Sequence, residues 1–210
     1  MDITSKSLHH ANIVFVFEER KFVLPDNTAL MAVYQGDLAA GAQFVDDPVL
    51  KTKILDLPRL KTQIAIDLNR LRVEDFSQTE PENSNLINTA LHVHQQLFNQ
   101  IPLAGLGFNF DIYYRSSEVI RLQDLFKKFV DAKALEKNDL RDVGIQFTLE
   151  KEGGKKRETY FLKIIAPLEI VLHINHHFSL KKLPEKDEIT AMFENCYKET
   201  DEVIENLKIS

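Results

Sequence analysis

The sequence predicts an α+β fold: an antiparallel sheet of six to nine strands with two main amphipathic helices packed on one face. Three observations point there. Short segments of alternating apolar and polar residues recur along the chain. Two stretches instead repeat apolar residues at intervals of three and four, and Gly, Pro and Asn punctuate the joints. The 210 residues, 44% hydrophobic with 14 Phe and no Trp, suffice for one core, so a single domain over 1–210 is expected.

The elements follow in order. ANIVFVFE (11–18) alternates with Ile13, Phe15 and Phe17 on one face, and Pro25-Asp26-Asn27 then turns the chain. Residues 28–58 give no clear period, because Gly36, Gly41, Pro48 and Pro58 cut them short. LKTQIAID and RLRVEDF read as a strand pair turning near Asn69. Ile87, Ala90, Leu91, His94, Leu97, Phe98 and Ile101 lie on one helical stripe, stopped by Pro102. GLGFNFDIYY places Leu106, Phe108, Phe110, Ile112 and Tyr114 on one face of a strand and Asn109, Asp111 and Tyr113 on the other. Val119, Leu122, Phe126 and Phe129 suggest a further helix. GIQFTLEK and ETYFLKIIA flank Gly153-Gly154 as a hairpin, with EIVLHINHHFS as its third strand. After Pro184, a long helix carries Ile189, Met192, Phe193, Cys196, Val203 and Leu207.

An internal echo accompanies this order. Phe76-Ser77 and Phe178-Ser179 each close a strand pair, and each precedes its helix's first core residue, Ile87 or Ile189, by 11 residues. An offset of 102 relates them, which raises the alternative of two pseudo-symmetric β-β-α halves, 1–115 and 116–210, sharing one core.

The chemistry excludes more than it proposes. A net charge of −6 speaks against a nucleic-acid binder, and Lys155, Lys156 and Arg157 read as a solvated hairpin tip. No apolar run approaches the ~20 residues of a bilayer span. The start MDITSKSLHH lacks the apolar core of a signal peptide, and Cys196 is alone, so a cytoplasmic protein is expected. In VLHINHHFSL, alternation sets Leu172, Ile174, His176 and Phe178 against His173, Asn175 and His177. Four residues of strand separate His173 from His177 by ~13 Å, too far to share a zinc ion bound at ~2 Å. No metal and no cofactor are therefore expected. Cys196 sits on an apolar stripe and reads as a packed thiol, and no GxSxG or GxxxxGK[ST] element is present.

His94 on its apolar stripe, the row Asn109, Asp111 and Tyr113, and the face His173, Asn175 and His177 remain as candidate ligand-binding residues, with no catalytic residue assigned. The expectation is a non-catalytic protein-binding or assembly module, meeting a partner or itself through strand edges or the C-terminal helix, Ile189 to Leu207. Two alternatives stand beside it. One is an enzyme with a composite histidine-containing site. The other rests on NFDIYY, which resembles the NFD-aliphatic-Y run that follows a four-stranded sheet and a helix in the export chaperone SecB. That resemblance spans about six residues and implies a binder of unfolded peptides. IPLAGLGFNF is similar to segments of uncharacterised bacterial proteins and implies no activity.

Overall fold

Alternation governs the first strand, but with one interruption. In the computed structural model, which describes residues 3–34, 41–120 and 144–206, β1 runs Ile3–Phe17 and buries Ile13, Phe15 and Phe17 completely. Leu8 is also buried, although its parity is wrong for that face. A bulge explains it: Leu8 pairs with Ile112 and His10 with Asp111, leaving His9 as the extra residue. Strict period-2 patterning therefore starts only at Ala11, where the strand becomes readable from sequence.

The unread stretch 28–58 contains a short helix α1 (Asn27–Ala32) and the strands β2 (Gln43–Asp47) and β3 (Thr52–Leu57). Asp26 caps α1 by accepting from the Ala29 N–H at 2.7 Å. β4 (Thr62–Asp67) and β5 (Arg70–Asp75) form the expected pair. Helix α2 (Leu86–Leu97) is followed by β6 (Leu103–Ser116). β7 (Gly144–Lys151), β8 (Lys156–Ala166) and β9 (Glu169–Ser179) form a meander, and helix α3 (Lys186–Asn206) ends the described chain. Gly153 and Gly154, at φ of 65° and 86°, supply the left-handed conformations of the β7–β8 turn. Of the suggested helix around Val119, Leu122, Phe126 and Phe129, only Val119 lies inside the described residues, exposed and outside regular structure.

All nine strands join one antiparallel sheet in the order β2-β3-β4-β5-β1-β6-β9-β8-β7. Its centre is phenylalanine-rich. Phe193 of α3 lies 5.5 Å from Phe108 and 5.0 Å from Phe110, while His94 of α2 lies 4.9 Å from Phe15. Burying each such ring contributes ~2–3 kcal/mol, so these contacts hold the helices to the sheet more firmly than helix propensity does.

The offset of 102 does not hold in the strands. It would place Leu71 and Val73, buried in β5, on His173 and Asn175, which lie on the opposite face of β9. Phe76 is half-exposed and stacks on His10, whereas Phe178 packs edge-on against Phe108. Residue 115 lies in β6, which pairs with β9 along its length, so one sheet runs across that position. Among the described residues no helix is long and apolar enough to cross a membrane.

Candidate functional site

One face of the sheet carries the core; the other presents polar residues. A single in-register row on that open face crosses all nine strands: Gln43, Asp56, Gln63, Glu74, Asn12, Asn109, Asn175, Thr159 and Thr148. At its centre the amides form a chain. Asn175 Nδ2 donates to Asn109 Oδ1, and Asn109 Nδ2 donates to Asn12 Oδ1.

Beside the amides a trough of about 510 Å³ crosses β5, β1, β6, β9 and β8. Its bed is low because position 107, between Val14 and His177, is glycine. His177 lies over Gly105, where an added Cβ would sit 2.7 Å from the ring. Arg70 and Arg72 line one end and Arg157 the other. Arg70 is paired with Asp67 at 2.7 Å, whereas Arg157 has no hydrogen-bond or ion-pair partner among the described residues. Burial and the Arg157 charge hold the His177 imidazole below its usual pKa.

A charged chain borders the trough. The bulge at His9 presents His10 to the open face, where Nδ1 meets Asp111 at 3.1 Å and Nε2 meets Glu74 at 3.0 Å. Asp111 also meets His173 Nδ1 at 2.6 Å, and Glu74 meets Arg72 at 2.8 Å. Burial works against a charge on His10, but the two carboxylates outweigh it and raise the imidazole to about 9. Burial likewise opposes the charges on Asp111 and Glu74. Hydrogen bonds from His10 and His173, or from His10 and Arg72, prevail and hold both carboxyls below their ordinary range.

Six sequence candidates, Asn109, Asp111, Tyr113, His173, Asn175 and His177, therefore share this face. Tyr113 stands apart, against His9 at 4.8 Å. His94 lies on the other face, buried beside Phe15 and Phe17. Sequence reasoning missed His10, Asn12, Arg72, Glu74 and Arg157. The hairpin-tip triplet splits in three ways: Lys155 is exposed, Lys156 turns inward and Arg157 enters the trough.

The inward side of the second meander holds another cluster. Ligand atoms of Glu158, His176 and Glu199 lie within 4.8 Å of one another, the spacing a metal ion could use. The cation there is a lysine. Lys156 Nζ lies 2.7 Å from Glu158 and 2.9 Å from Glu199, and Lys151 adds a contact at 2.9 Å to Glu158. A metal ion would have to displace Lys156, so these residues do not fit one as they stand. Burial opposes the charge on fully buried Glu158, but the two ammoniums hold its carboxyl well below the usual range. His176, 3.6 Å from Glu158, is pushed down to about 4 by burial. Burial raises the Cys196 thiol to about 12, which makes it a poor nucleophile.

Of the apolar stripe of α3, Ile189, Phe193 and Cys196 are buried, and Met192 and Val203 are half-buried. Leu207 lies outside the described residues. No family model, curated protein or solved structure matches this chain, so the likeness of NFDIYY to SecB remains confined to those six residues, here the middle of β6.

Proposed function

We propose that the protein is a non-catalytic protein-binding module whose open sheet face receives an extended, acidic peptide segment. The supporting observation is the trough itself: a cleft rimmed by Arg70, Arg72 and Arg157 in a chain of net charge −6. Arginine forks match carboxylates in two-point pairs. Asn12 and Asn175 end the amide chain with an N–H donor and a carbonyl acceptor that have no side-chain partner among the described residues, groups that complement a peptide bond. Five strands at ~4.8 Å spacing give a cleft about 19 Å long, enough for about six extended residues at ~3.3 Å each. Its lining has no Phe, Tyr or Trp on which nucleic-acid bases would stack.

The element order supports reading the halves as pseudo-symmetric in topology if not in register. β1 followed by the β3–β5 meander and α2 parallels β6 followed by the β7–β9 meander and α3. The trough then straddles the β1–β6 seam, where both halves contribute side chains.

Fluorescence anisotropy with a labelled Glu-rich hexapeptide tests this reading. Binding that weakens with salt and falls at least tenfold in Arg157→Glu is expected. Equal affinity for a Lys-rich hexapeptide, or an unaffected Arg157→Glu, would overturn it. Suppression of aggregation of an apolar unfolded protein would favour the chaperone-like alternative instead. If Arg157→Glu converts a wild-type dimer into monomers in sedimentation, the occupant is a second copy.

One observation favours the enzymatic alternative. Asp111 orients His173 at 2.6 Å, and the His173 side chain is 45% exposed, the arrangement of a general base held by a carboxylate. It predicts that a substrate turned over by the protein loses turnover in His173→Gln while peptide binding persists.

A further inference from the structure

A second cavity lies on the helix-covered side, away from the trough. Its volume of about 550 Å³ falls within the usual range of small-molecule sites, about 300–1,000 Å³. The end of α2, the turn into β6 and the link between β9 and α3 border it, and it opens broadly to solvent. Three features set its chemistry. Apolar walls come from Leu91, Ile101, Leu183 and Pro184. His94 lines it while only 8% exposed, held against Phe15 and Phe17, with no hydrogen-bond partner among the described residues. Lys181, Lys182 and Lys186 stand at the mouth, exposed and without ion-pair partners among the described residues, opposed there only by Glu185.

We infer that this cavity binds a small amphiphilic anion: a monocarboxylate whose aliphatic body fills the apolar walls and whose head meets His94 and the lysine mouth. The His94 imidazole has no hydrogen-bond partner among the described residues, and its ring nitrogens are not sealed from solvent, so a ligand head that reaches them takes the place of water. An aliphatic body gains ~0.8 kcal/mol per methylene removed from water. The three ammoniums select the charged head and concentrate it at the mouth. Burial holds His94 below its ordinary pKa, so in the empty cavity the imidazole is neutral and carries one N–H to donate.

Isothermal titration with octanoate, octanol and octyl phosphate tests the assignment on the full chain. Octanoate is expected to bind at least tenfold more tightly than octanol. The surface variant Lys181→Gln/Lys182→Gln/Lys186→Gln is expected to erase that preference without changing the unfolding midpoint. His94→Gln is expected to weaken octanoate severalfold, with the His94 ring resonances of the wild-type protein shifting on saturation. Equal binding of octanol and octanoate would reduce the cavity to a greasy hole and overturn the proposal, as would no binding at millimolar ligand. Tighter binding of octyl phosphate than octanoate would overturn the carboxylate assignment in favour of a phosphate head. None of these outcomes bears on the peptide trough, whose rim lies on the opposite face.

Discussion

His10 and His176 stand on strands β1 and β9, separated only by β6, on opposite faces of one sheet. Each has a carboxylate within 3.6 Å, yet their affinities for protons diverge by several orders of magnitude, at about 9 and about 4. Burial opposes the charge on both. His10 donates from its two ring nitrogens to two carboxylates, and beside one of them, Asp111, the described residues place no cation but histidine. His176 faces Glu158, whose charge is already matched by Lys156 and Lys151. At His176 the upward pull of Glu158 is opposed by complete burial and by the charges of Lys156 and Lys151, whereas at His10 two carboxylates together outweigh burial. Proximity alone decides nothing.

The largest expected effect comes from removing Lys156. Lys156→Met leaves Glu158, fully buried, with Lys151 and the Tyr160 hydroxyl, and should cost ~3–5 kcal/mol in urea unfolding, as breaking buried pairs does. The same change brings the two histidines closer in behaviour: with Lys156 gone, the Glu158 charge acts on His176 and its titration should move upward from about 4. Proton NMR of the ring resonances would follow it. A His176 titration that stays in place would break the explanation.

Next comes the dependence of stability on pH. For His10 the native state holds its proton more tightly than the unfolded chain, whose imidazole titrates at about 6.5. Its contribution is complete below about 6.5 and lost as pH rises through about 9, a change of ~3 kcal/mol. For His176 the native state refuses a proton that the unfolded chain accepts. Stability therefore falls by a similar ~3 kcal/mol as pH drops from about 6.5 to about 4. Glu74 and Asp111, both held below their usual range, steepen the acid limb further. The curve should peak near pH 6.5. His10→Gln should flatten the alkaline limb and soften the acid limb too, because His10 is the first group that holds Glu74 and Asp111 low. It should itself cost ~2 kcal/mol at neutral pH by leaving both without their shared cation. An alkaline limb unchanged in that variant would show that His10 is not the group responsible.

How much of this was legible in the sequence follows from how far apart the partners lie. Alternation exposed β4, β5, β6 and β9, and it assigned His173, Asn175 and His177 to a shared face with Asn109 and Asp111, because a period of two is a local property. The bulge at His9 breaks that period, so alternation predicts β1 only from Ala11 and leaves His10 outside it. No local signal joins His10 to Glu74 and Asp111, which lie 64 and 101 residues away and meet it only through strand pairing. Lys156 and Glu158 alternate in β8 like any charged pair. They share the parity of buried Tyr160 and Leu162, which turns them inward, but the Glu199 that meets Lys156 there comes from a distant part of the chain. β2 escaped because QFVDD is short, acidic and at the sheet edge, where little burial imposes a pattern.

The smallest predicted effect separates the two faces most cleanly. Asn109→Ala removes the middle of the amide chain and leaves Asn12 and Asn175 with one fewer partner each. The trough is open to solvent, so water should replace those bonds, at an expected cost of ~1 kcal/mol. A double-mutant cycle with Asn175→Ala should give a coupling of ~0.5 kcal/mol or more. Its chain neighbour Phe110 points the other way into the core, where truncation to Ala should cost ~3–5 kcal/mol. If Asn109→Ala proved as costly as Phe110→Ala, the amides would be part of what holds the sheet together, and a peptide could not recruit them without disturbing it. A small cost means that the central row can exchange its internal hydrogen bonds for those of a bound segment while the apolar face alone keeps the strands in place.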